Sequence, residues 1–323
     1  MNINRFTPPF LLRNAYVQSI LASSKIRTWG ANPMRDSSQT KIIQCQDGIR
    51  LLGAYSKQSE KASKGLLILL HGWEGSIDST YILTTGRFFY QNGFDIFRLN
   101  FRDHGDSHHL NQGIFYAILL EEVFQAVKQV AELNRKKPVF LAGFSLGGNF
   151  ILRILKKSME DPIDAITHAV SISPVLDPDK ATDRIDASFI FRRYFLNKWR
   201  HSLRIKQSYF PEEYNFEDVL SIPTLRAMTD VLLNRYSNYP SSKKYFKGYT
   251  VVNDAIKDIQ TPLTILTASD DPIIPVRDFY DLVLHPNTEL SIQPYGGHNG
   301  FLSGITSTCW YHFKMLSLFR QYV

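Results

Sequence analysis

Short apolar runs alternate with longer amphipathic stretches over most of this chain. Leu66-Leu67-Ile68-Leu69-Leu70, Pro138 to Ala142 and Leu263 to Ala268 are apolar enough to read as strands buried on both faces. Phe94 to Phe101, Ala165 to Ser173 and Glu289 to Gln293 read as further strands. Between them the spacing predicts a helix over Thr80 to Gln91, ended by Gly93, and a long amphipathic helix over Ile114 to Leu133. Another helix opens at Phe150, one lies near Asp278 to Leu284, and a last one spans Ser303 to Tyr322. Lys41 to Tyr55 alternates around Asp47-Gly48, which is a hairpin signal. Near the N-terminus, Pro8 to Leu12 reads as extended and Val17 to Leu21 as a short helix.

Strands alternating with helices predict an α/β fold, a mostly parallel sheet with helices on both faces. The alternation stops between Leu176 and Val252, a stretch crowded with aromatic and charged residues. The expected organisation is an N-terminal extension over 1–39, packed on a core formed by 40–175 and 251–323. An inserted helical lid is expected over 176–250.

Composition narrows the class. The chain has 323 residues, 44% of them hydrophobic, enough for one large core with an insertion. It has no run of eighteen apolar residues, and Met1 to Phe6 lacks the layout of a secretory signal. With Cys45 and Cys309 as the only cysteines, two free thiols in a reducing cytoplasm are expected. The net charge is +7, yet no helix-turn-helix, zinc-ligand or RNA-binding signature accompanies it, so nucleic acid is not an expected partner.

Chemistry enters at Gly143-Phe144-Ser145-Leu146-Gly147, between a predicted strand and a predicted helix. This is the G-x-S-x-G pattern of a nucleophile elbow, in which side chains two residues either side of the serine would collide. A serine hydroxyl needs a base, and the base an orienting acid, in the chain order Ser, Asp or Glu, His. Asp271 follows the strand at Leu263 to Ala268 and is the expected acid. Its neighbour Asp270 is read as capping the turn, and Asp177 is a distant alternative. His298, amid Gly296, Gly297 and Gly300, is the expected base. The oxyanion donors are expected to be the backbone N–H groups of Leu146 and of Trp73, the latter in His71-Gly72-Trp73-Glu74-Gly75. His104, His108 and His109 cluster with Asp103 and Asp106. A metal site is conceivable there, but a polar loop at the rim is the expected reading.

These motifs, with Asn100-Phe101-Arg102 and Asp270-Asp271-Pro272, make the chain resemble the α/β-hydrolase superfamily. Gly148-Asn149 after the elbow, Pro9 to Asn14, and Pro223-Thr224-Leu225-Arg226 with Asp230 resemble its YheT-like esterase/lipase subgroup. The resemblance runs from about Phe6 to the last helix and is loose in the lid. It implies an eight-stranded sheet, carboxylester hydrolysis through an acyl-enzyme, no cofactor, and triad roles for Ser145, Asp271 and His298. Asp103 departs from the pattern, where relatives often have glycine.

The expected function is hydrolysis of short- or medium-chain or lipid-like esters. Sequence leaves open transfer of the acyl group to an alcohol, peptide hydrolysis, and a non-catalytic binding role on the same fold. In the insertion, Phe189, Phe191, Tyr194, Phe195, Trp199, Tyr209, Phe210, Tyr214 and Phe216 either line an acyl pocket or pack the lid. Arg192, Arg193, Lys198, Arg200, Arg204 and Lys206 occur there with no acid between them. They form either a solvated helix face or a contact with an anionic membrane surface.

Overall fold

The computed structural model describes residues 4–58, 63–134, 136–305 and 308–323. The N-terminal residues 1–3, part of the stretch weighed for a secretory signal, lie outside them. Eight strands form one sheet: β1 (Ser38–Gln44), β2 (Arg50–Ser56), β3 (Leu66–Leu70), β4 (Asp95–Leu99), β5 (Val139–Phe144), β6 (Ile166–Ile172), β7 (Leu263–Ala268) and β8 (Thr288–Gln293). Their order is β1-β2-β4-β3-β5-β6-β7-β8. The hairpin β1–β2 pairs antiparallel and β2 joins β4 antiparallel, while every pair from β4 to β8 is parallel. The expected hairpin turn is present, with Asp47 and Gly48 both at positive φ.

The helices are α1 (Ala15–Ala22), α2 (Pro33–Asp36), α3 (Thr80–Gln91), α4 (Leu120–Ala131), α5 (Leu146–Lys157), α6 (Pro178–Ala187), α7 (Phe189–Tyr209), α8 (Leu225–Tyr236), α9 (Ser242–Lys247), α10 (Arg277–Tyr280) and α11 (Trp310–Phe319). Strand alternation sorts them onto two faces. Leu66, Ile68 and Leu70 of β3 pack in one cluster with Phe124 of α4 and Phe150 of α5. Leu67 and Leu69 pack in the other, with Phe89 of α3 and Phe319 of α11. The stretch without strand signals contains α6 to α9, inserted between β6 and β7 and packed on the α4–α5 face. Both cysteines are free thiols. No helix among the described residues is long and apolar enough to cross a membrane.

Four expected elements differ. Phe10–Leu12 is a short 3-10 turn rather than extended. The helix expected from Ile114 starts only at Leu120. Residues 114–119 instead form a loop whose backbone is satisfied from outside. The Phe115 N–H donates to Asp103 Oδ2, and the Ala117 N–H to the Tyr245 hydroxyl. Arg153 donates to the Ala117 and Ile118 carbonyls. The helix expected over Asp278 to Leu284 stops at Tyr280, because the Val283 N–H goes to the Asn253 carbonyl. The last helix begins at Trp310, whose N–H donates to Phe301 O. Residues 306–307 of its expected span lie outside the described residues.

The loop over 114–119 generates a test. Tyr245→Phe removes the acceptor of a buried N–H, so it is expected to lower unfolding free energy by about 1–3 kcal/mol. Urea titration reads this, and a variant as stable as the parent contradicts the loop's account.

Candidate active site

Ser145 joins β5 to α5 at φ 55°, ψ −114°. Three hydrogen bonds hold it there: its N–H donates to Ile172 O, and its carbonyl accepts from Asn149 and Val175. The flanking glycines are required by contact. A Cβ on Gly143 would lie 2.3 Å from Gly147 O, and one on Gly147 would lie 2.4 Å from Leu70 O. The Asn149 amide, on the first turn of α5, donates to Val175 O and Tyr249 O at 2.8 Å each. It thereby ties both ends of the helical insertion to the elbow.

Asp271 follows β7 and is buried. One carboxylate oxygen accepts from the N–H groups of Ile273 and Ile274; the other meets His298 Nδ1 at 2.8 Å. Asp270 Oδ1 accepts from the Gly297 N–H, so it fastens the histidine loop rather than its own turn alone. Asp177 caps α6 by accepting from Asp179 and Lys180 and has no part in the site. Ser145 and His298 line one open cleft of about 610 Å³, together with Trp73. Ser145, Leu146 and Trp73 also line a second, largely apolar cavity of about 130 Å³ beneath the insertion. Among the described residues, the Trp73 and Leu146 N–H groups find no acceptor within the chain. The neighbouring N–H groups of Gly72, Glu74 and Gly75 are bonded to Tyr81 Oη, His104 Nε2 and Gly72 O.

Several residues shape the site in roles that the sequence did not assign to them. His71 Nδ1 lies 2.8 Å from Gly72 O while its Nε2 accepts from the Phe101 N–H, which anchors the 71–75 loop to the end of β4. Burial pushes His71 down to about 4, so it stays neutral and keeps these two roles. His104 does the same between Arg102 O and the Glu74 N–H, and burial also lowers its pKa. His108 bonds Gly105 O and Ser202, and His109 packs on Tyr209. Helix α1 buttresses the histidine loop: Ser19 Oγ accepts from the His298 N–H, and Gln18 holds Leu302 through both its N–H and its carbonyl. A signal existed in sequence, since Gln18 and Ser19 interrupt an otherwise apolar short helix.

Asp103 is explained by the insertion. It meets Lys206 Nζ at 2.9 Å with both side chains buried, and the ammonium also reaches His108 O and Asn111 O. Of the nine insertion aromatics, Phe195 and Trp199 line the apolar cavity, Trp73 stacking on the first at 5.4 Å. Tyr194 lines the cleft, Phe191, Tyr214 and Phe216 are buried in the core, and Phe189 and Tyr209 are exposed. The other aromatic walls of this cavity come from Phe115 and Tyr116 of the 114–119 loop and from Tyr245, Phe246 and Tyr249.

The family model described as serine aminopeptidase, S33, matches residues 61–302. An "Abhydrolase domain-containing protein" of Dictyostelium discoideum is 22% identical over 92% of this chain and 76% of its own length. "Putative esterase YheT" of Escherichia coli (strain K12) is 24% identical over 81% of this chain and 78% of its own. Among solved structures, the Pyrococcus furiosus esterase Pf2001 superposes with a TM-score of 0.56 at 19% identity, covering 91% of this chain and 94% of that one.

Glu74 gives the site a pH test. Its half-buried carboxyl lines both cavities, and burial raises it from 4.5 to about 8, against the pull of the Lys198 ammonium. An acid whose folded pKa is raised loses stability as pH climbs from the unfolded value to the folded one. Glu74→Gln is therefore expected to match the parent's Tm below about pH 4.5 and exceed it at pH 9. A pH-independent difference in thermal melts contradicts this.

Proposed function

The chain belongs to the serine aminopeptidase S33 family of α/β hydrolases, and from that premise we propose that it is a serine carboxylester hydrolase acting through an acyl-enzyme. The observation that carries the reading is the 2.8 Å Asp271–His298 bond beside a cleft that His298 shares with the strained Ser145. Asp271 accepts from His298 Nδ1–H, which fixes the tautomer and leaves Nε2 as the base. His298 takes the Ser145 proton as Oγ attacks the ester carbonyl. The negative charge that develops on the carbonyl oxygen is met by the Trp73 and Leu146 N–H groups, which have no competing acceptor. Collapse breaks the bond to the alcohol, which leaves with the proton from His298. Water, deprotonated by His298, then frees the acid and restores Ser145.

The two cavities flanking Ser145 suit the two halves of such an ester. The apolar one, walled by Trp199, Leu232, Tyr245 and Tyr249, fits an acyl chain, and the larger, more polar cleft fits the alcohol. Similarity to a relative named as an esterase favours an ester over a peptide substrate.

Chromogenic esters of increasing acyl length are expected to be cleaved best at short to medium chain. Ser145→Ala is expected to lower kcat by about 10³-fold or more. Equal activity of the alanine variant, or faster cleavage of amino-acid arylamides than of esters, overturns the proposal.

A further inference from the structure

Helix α1 is amphipathic in an inverted sense. Gln18, Ser19 and Ala22 are buried, while Tyr16, Val17 and Ile20 are exposed. The polar side is engaged, since Gln18 and Ser19 hold the His298 loop. On the apolar side, Tyr16 stacks on Phe191 at 5.2 Å, which sets α1 beside the first turn of α7. There Phe189 is 67% exposed and Ile190 is exposed as well. Immediately before α1, Phe10 and Leu11 are 80% and 85% exposed. A few residues beyond α1, Ser23 and Lys25 line the same cleft as Ser145, as does Tyr194 of α7. This apolar surface therefore borders the mouth of the site.

Charge indicates what covers it. Residues 1–35 and 187–211 contain no Asp or Glu. Arg5, Arg13, Lys25 and Arg193 are exposed. A second copy of the same surface would bring like charges together. Large apolar side chains among exposed cations fit an interface of acyl chains beneath anionic headgroups.

We propose that α1, the Phe10–Leu11 turn and the first turn of α7 form a docking surface for an anionic lipid bilayer, holding the cleft mouth at the membrane. This replaces the basic run of the insertion as the contact. Of its six cations, Lys206 is buried on Asp103, and Lys198, Arg200 and Arg192 donate to the carbonyls of Glu74, Ile222 and Asp186. Only Arg193 and Arg204 stand exposed. The placement of the mouth gains its purpose from the hydrolase reading, but docking itself requires no reaction.

Co-sedimentation of the full chain with vesicles of phosphatidylcholine and phosphatidylglycerol, against phosphatidylcholine alone, tests this. The parent is expected to pellet with the anionic vesicles at low salt and to lose most of that binding at about 0.5 M salt. Replacing three exposed residues together, Phe10→Ser, Leu11→Ser and Ile20→Ser, is expected to lower partitioning by about tenfold or more. Its Tm and its hydrolysis of a water-soluble ester are expected to stay at parent values. Ser145→Ala is expected to pellet like the parent. Absence of parent binding to anionic vesicles at low salt, or equal pelleting of the triple variant, overturns the proposal. So does a dimer in analytical ultracentrifugation that the triple variant abolishes, since the occupant would then be a second copy. A chain that binds vesicles but cleaves no ester supports docking while counting against the hydrolase reading.

Discussion

Ser145 is held at φ 55° between a strand and a helix, a backbone state that costs about 1–3 kcal/mol for a residue with a side chain. That conformation persists only because its surroundings leave no alternative. β5 lies central in the sheet between β3 and β6, so its end is fixed on both sides. The elbow N–H is bonded to Ile172 O, the last residue of β6. Gly147 lies so close to Leu70 and His71 that no side chain fits between α5 and the end of β3. The same approach brings the 71–75 loop to the serine, and with it the free Trp73 N–H. One constraint thus sets the serine, the unbonded Trp73 amide and the glycine pattern together.

The remaining parts of the site are secured by groups that need not touch a substrate. Neutral His71 and His104 each bridge two backbone groups, and their low pKa values follow from burial. Asp270, Ser19 and Gln18 each hold the loop of His298 by a hydrogen bond. Asn149 ties down the insertion at both ends, and Lys206 pins its long helix to Asp103. Among the described residues, six of the eight non-glycine positions at positive φ lie in these loops: Glu74, Asp103, Ser145, Ser173, Asn299 and Phe301. Backbone strain is concentrated around the cleft, as expected where a fold fixes groups for chemistry.

The sheet was legible in the sequence because strands buried on both faces must be apolar throughout, as Leu66–Leu70 is. The elbow was legible because steric contact demands glycine, and Asp271 and His298 because each follows a recognisable strand. Ile114 to Ala117 misled because an amphipathic pattern records which side chains are buried and not where the backbone hydrogen bonds go. In this loop Asp103, Tyr245 and Arg153 supply partners that no local pattern announces. The cavity walls were illegible for a related reason: Tyr245 and Tyr249 reach the site through the packing of the insertion, which has no periodic relation to the elbow.

The central claim is that this architecture makes one serine among many a nucleophile. Reaction with a fluorophosphonate, followed by peptide mass spectrometry, tests it most directly, because the reagent bonds only to a hydroxyl that a neighbouring base activates. The account predicts a single phosphonylated residue, Ser145, with labelling abolished when the chain is unfolded beforehand. An unlabelled folded chain, or a label on any other serine, would contradict it.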